Sequence, residues 1–166
     1  METVIRFSLG NLSYFFVVLA FLGPLIHIRV KRIKTTKEQI DIALSYILFF
    51  GIGFQGIYAF WGHAFIPAVV AESIGWPPAP KFQFELAFAN LAIGVLGILS
   101  VWNRDGFRLA TIISVSIFLF GCAYGHVRDI ILYANYSPNN SGIVLFMDIF
   151  FPLYLIVLYY FYKKEK

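Results

Sequence analysis

Six side chains are of types able to do chemistry away from any bulk run of charge: His63, Glu72, Glu85, His126, Asp129 and Asp148. Two imidazoles and four carboxylates can move protons, orient a polar ligand or hold a divalent cation. His126 and Asp129 stand three residues apart, which places them on one face of any helix containing both. A histidine oriented by a carboxylate is a general-base arrangement. No HExxH or CxxC spacing accompanies these residues, so no metal is assigned. Asp148 is the sharpest of the six, because it lies inside an apolar run where an ionised carboxylate is costly unless paired, hydrated or protonated.

The elements that must position these groups follow from composition. Of 166 residues, 60% are apolar, 19% aromatic and only 13% charged. That balance excludes a disordered or nucleic-acid-binding protein and makes the lipid bilayer the natural solvent. A spanning helix needs about 20 apolar residues. Runs at about 7–28, 40–61, 86–102, 109–133 and 143–162 meet or approach that length. The expectation is an all-α integral membrane protein with five transmembrane helices in one domain, 1–166. The first run is too long for a signal-peptide core and reads as a retained helix, bent or ended by Pro24. The connection 62–84 holds the apolar stretch 64–71 and then Pro77, Pro78 and Pro80, which suits a re-entrant or interfacial segment forming an outer cap. Trp61, Trp76, Phe82 and Phe84 are expected at the headgroup level.

Charge sets the orientation. Placing 29–38, 103–108 and the tail on one side gathers ten of the thirteen Lys and Arg, leaving Arg6, Lys81 and Arg128 opposite. The positive-inside rule then puts the C-terminus in the cytoplasm and the N-terminus outside, in a multi-pass protein of the cell membrane. Counting a rise of 1.5 Å per residue from the basic side places Gln55, Asn90 and Asp148 at about 20 to 22 Å, Glu85 and His126 at about 27 Å, and His63 and Asp129 at about 31 to 33 Å. Three helices thus bring polar groups to one depth, and the outer half is the polar half. Gly51, Gly53 and Gly56 spell GxGxxG, but inside a span they are expected to let another helix approach, as are Gly94 with Gly97 and Gly121 with Gly125. The lone Cys122 lies in an apolar run and is expected in helix packing.

The order Gly62-His63, Ile74-Gly75-Trp76, Phe82-Gln83-Phe84-Glu85, a Gly-rich helix, a turn at 103–106 and Gly125-His126 resembles that of a group of small prokaryotic polytopic membrane proteins of unknown function. More loosely it is similar to the DoxX-like superfamily. That resemblance implies a four-helix membrane module matching the second to fifth spans, sometimes a subunit of quinone-linked oxidoreductases. Glu85 is the one position it carries across, as the Glu opening a helix.

The leading expectation is an outward-facing cavity among spans two to five, capped by the 62–84 segment, that binds a small or lipid-like ligand. Gln55, Glu85, Asn90, His126 and Asp148 would line it, with His63 and Asp129 at its mouth. His126 would transfer a proton or orient the ligand, with Asp148 as its charge partner; the bland reading of Asp148 is a pair with Arg128. No cofactor is assigned, although two histidines at similar depth would permit haem. Rival readings are a membrane enzyme or quinone-linked subunit using His126 and Asp148 as acid and base, a proton-coupled carrier or channel, and a structural partner subunit.

Overall fold

In lipid no water satisfies backbone N–H and C=O groups, so spanning segments must bond internally. The chain obeys this with helices throughout and no strand among the described residues. The computed structural model describes residues 2–165, with side chains from Leu12 onward, so the side chains of Arg6 and Lys166 used above lie outside the described residues. Its elements are α1 (Glu2–Lys31), α2 (Thr36–Tyr46), a π-helical segment (Ile47–Phe54), α3 (Gln55–Phe65), α4 (Pro67–Ile74), α5 (Pro80–Leu99), α6 (Gly106–Tyr133), α7 (Pro138–Ser141) and α8 (Ile143–Lys164).

Five helical stretches are long and apolar enough to cross a membrane: Leu12–Lys31, Thr36–Phe65, Pro80–Leu99, Gly106–Tyr133 and Pro138–Lys164. The second runs α2, the π segment and α3 together without a break. Pro24 does not end α1, which continues seven residues further to Lys31. Prolines instead open α4, α5 and α7, where their missing N–H is an orphan in any case and their φ suits the first turn. Gly75, in the left-handed region at φ 77°, ends α4, and Ala134 ends α6 with φ 52°. Leu25, Ile26 and Val30 of α1 and Ile117 and Ile131 of α6 are each more than 60% exposed, a surface suited to acyl chains and not to water.

A central core of Leu44, Ile47, Leu48, Ile52, Ile112, Val115, Phe151 and Leu155 joins the second, fourth and fifth spans. The glycines of the second and third spans bring backbones together. A methyl group on Gly56 would lie 2.7 Å from the Cα of Gly94, and one on Gly97 would lie 2.7 Å from the carbonyl oxygen of Leu48. Gly121 and Gly125 differ from expectation. Nothing lies within 4 Å of where their side chains would start, so within this chain they serve no helix approach.

The basic end is tied by one buried guanidinium. Arg108 is 0% exposed, and its Nη1 donates to Oδ1 of Asp41 at 2.7 Å, its Nη2 to the hydroxyl of Ser45 at 3.2 Å and its Nε to the carbonyl of Ser100 at 3.2 Å. The ring of Tyr162 packs 5.7 Å from its central carbon. The second Asp41 oxygen meets Arg104 at 3.1 Å. One side chain thereby links α2, the end of α5, α6 and α8.

Removing one member of a buried ion pair leaves the other uncompensated, at a cost of about 3 to 5 kcal/mol. Arg108→Met is therefore expected to lower the thermal unfolding midpoint of the detergent-purified protein sharply. Arg108→Lys should recover only part, because an ammonium cannot reproduce the three-way fork. Gly56→Leu should destabilise by about 1 to 3 kcal/mol through overpacking. Gly121→Leu should be neutral in the same melt.

Candidate functional site

The second and third spans pack on each other through α3 and α5, while the fourth and fifth pack through α6 and α8. Residues of both pairs line a cavity of about 300 Å³. Its deeper wall is formed by Gly51, Ile52, Val115 and Phe151, its sides by Tyr58, Ile93, Phe118 and Met147, and its far end by Val70, Ile74 and Trp76 together with Asn139. Both helical irregularities of this region adjoin it. The π-helical segment, a form frequent at functional sites, ends at Phe54, next to the lining residue Gln55. Pro152 in α8 has no N–H to offer the carbonyl of Asp148 four residues earlier.

Five of the seven residues singled out from the sequence line this cavity: Gln55, His63, Asn90, His126 and Asp148. The other two do not. Glu85 is exposed on the outer side of α5 beside Lys81 and Phe84, and Asp129 accepts a 2.8 Å hydrogen bond from the indole Nε1 of Trp76. Asp129 therefore does not orient His126, despite the three-residue spacing. Gln55 is held by α1, since its Nε2 donates to the Ser13 carbonyl at 2.9 Å and its Oε1 accepts from the Ser13 hydroxyl at 3.0 Å. Asn90 donates back to the carbonyl of Leu86 at 2.9 Å. His63 approaches the side-chain oxygen of buried Gln83 at 3.3 Å.

His126 is the most constrained group. Its Nδ1 lies 2.7 Å from Oδ1 of Asn140, its Nε2 lies 3.6 Å from Oδ2 of Asp148, and the indole of Trp76 lies nearly parallel at 6.3 Å between ring centres. Trp76, expected among the headgroups, instead turns inward. Asp148 faces His126 and not Arg128, whose side chain is exposed.

Hydrogen-bond accounting fixes the protons. The amide nitrogen of Asn140, itself 0% exposed, donates to the carbonyls of Asn135 at 2.8 Å and His126 at 3.3 Å. Its oxygen must therefore be the atom facing Nδ1, and Nδ1 must carry a hydrogen. The other nitrogen then turns toward the Asp148 carboxyl. A bare lone pair against an ionised carboxylate is repulsive, so a single proton on Nε2 or on the carboxyl would turn the 3.6 Å approach into an attraction.

Asn140 and Trp76 were not among the residues singled out from the sequence. Asn140 sits in a four-residue helix rich in Asn and Ser, where a polar residue carries no signal by type. The far end of the cavity is tied by similar bonds, from Asn139 to the Ser73 hydroxyl at 3.0 Å and from Asn135 to the Ile74 carbonyl at 2.8 Å.

In ¹⁵N-histidine spectra of the purified protein, His126 is expected to show a protonated Nδ1 at neutral pH. Asn140→Leu should abolish that tautomer preference and leave a buried donor unpaired, a loss of about 1 to 3 kcal/mol. A wild-type signal with bare Nδ1 would refute the proton assignment.

No curated protein and no solved structure matches the chain. Residues 10–166 match a model described as a family of unknown function, DUF6790, while nothing found supports a DoxX-like relationship. With nearly its whole length covered, the chain belongs to the DUF6790 family.

Proposed function

We propose that this is a multi-pass protein of the cell membrane that binds a small or lipid-like molecule in the cavity between its second and fifth spans. The observation that carries the reading is the chamber of about 300 Å³ whose mainly apolar wall is interrupted at His126 and Asp148 by a polar pair. A largely apolar pocket with a few convergent polar groups is the common form of a small-molecule site. Maintaining a carboxyl group at that depth opposes stability, which argues for a role beyond packing.

The basic residues at the α1–α2 connection, the α5–α6 turn and the C-terminus favour the cytoplasm for that end. The N-terminus and the α4 end then lie outside, with α4 as an interfacial or re-entrant cap over an outward-facing cavity. Proton-coupled carriage is the second reading, favoured by the facing of His126 Nε2 and Asp148 Oδ2 at 3.6 Å.

Protein extracted with its native lipid is expected to release a co-purifying small molecule on denaturation, detected by mass spectrometry. Cys122→Trp places an indole in the cavity and should remove that molecule while circular dichroism stays helical. An equal yield from folded Cys122→Trp would sink the cavity reading. For orientation, in a Cys122→Ser background, Pro78→Cys should react with a membrane-impermeant maleimide on intact cells and Asn103→Cys only after lysis. The reverse pattern would overturn the topology.

A further inference from the structure

Among the described residues, Asp148 is the sole acidic residue lining the cavity, and no Lys or Arg lines it. The groups facing the pair from neighbouring elements are few. α6 contributes Cys122 and His126, and α3 contributes Tyr58 and His63. α7 presents the neutral amides of Asn139 and Asn140, Asp129 is occupied by Trp76, and Glu72 of α4 is exposed. An anionic ligand would thus meet a carboxyl group with no fixed cation to offset it. A neutral ligand would leave the carboxyl without a task. A cation would find both a carboxylate and aromatic faces, from Tyr58, Trp61, Trp76, Phe118 and Phe151.

We propose that the ligand of this cavity is a lipophilic organic cation that enters in exchange for the proton shared by His126 and Asp148. The inference rests on the cavity reading and names its ligand class. In the empty site the pair holds one proton. When the cation pairs with the Asp148 carboxylate, that proton leaves for water, and His126 remains neutral with its hydrogen on Nδ1 toward Asn140. One positive charge enters and one departs, so the site keeps its net charge. The 3.6 Å separation of Nε2 and Oδ2, just outside hydrogen-bond distance, holds the carboxyl only loosely on the imidazole.

The test uses full-length protein in detergent and two probes of nearly equal shape, benzyltrimethylammonium and its uncharged analogue neopentylbenzene. Titration calorimetry in phosphate and in Tris is expected to show saturable binding of the ammonium with release of about one proton, so that affinity rises up to about tenfold per pH unit where the pair would otherwise keep its proton. Asp148→Asn should abolish ammonium binding, Asp148→Glu should retain it, and Cys122→Trp should block it. Ammonium binding without proton release overturns the exchange, as does binding that survives Cys122→Trp. Binding of neopentylbenzene alone leaves the cavity reading standing and refutes the cation. Binding of neither probe, with no co-purifying molecule, removes both.

Discussion

The bundle depends on the burial of the Arg108 guanidinium. A charge with no solvent exposure at the end of an apolar helix is tolerable only if every donor is met, and here Asp41, Ser45 and the Ser100 carbonyl meet them from two other spans. Ser100 is itself bonded to Thr111 on α6 at 2.9 Å, which closes the link on the guanidinium's own helix. Tyr162 brings in the end of α8. Four chain segments are therefore pinned at one level.

The polar groups within the chamber divide by function in the fold. Gln55 and His63 are committed to neighbours on other helices, Ser13 in one case and Gln83 in the other. They set distances between helices. His126 and Asp148 alone face each other across a gap too long for a firm bond, and the orientation of the imidazole is imposed from behind by Asn140. The stacked indole of Trp76, anchored to Asp129, restricts the ring further. Such outer partners settle which nitrogen is available, much as in metal and catalytic histidines.

Much of this was legible in the sequence. Five spans follow from hydropathy because lipid demands long apolar helices, and a fixed rise per residue was enough to bring Gln55, Asn90 and Asp148 to a common level. His126 and Asp148 emerged as partners because few ionisable residues lie in the outer half of the bundle. What stayed hidden was tertiary. The pairing of Asp129 with Trp76 spans 53 residues and overrides the local three-residue spacing to His126. Glu85 shares a helix with lining residues yet lies on its outer side, since depth says nothing of rotation about the axis. Gly121 with Gly125 and Gly94 with Gly97 are both close glycine pairs inside an apolar run, but only the latter meet another backbone. Arg108 read as one more basic residue of a topological cluster, because burial of a charge leaves no mark on composition.

Pro152 gives α8 a mechanical character that α2 and α6 lack. The rung missing below Asp148 divides the helix into a stem, clasped at Tyr162 by the guanidinium, and a short upper arm joined through Gly142 to α7. A helix bends most readily where a rung is absent. Any flexing of α8 is thus concentrated beside the Asp148 carboxyl group, so that a small change of angle in the arm becomes a change in the gap to His126.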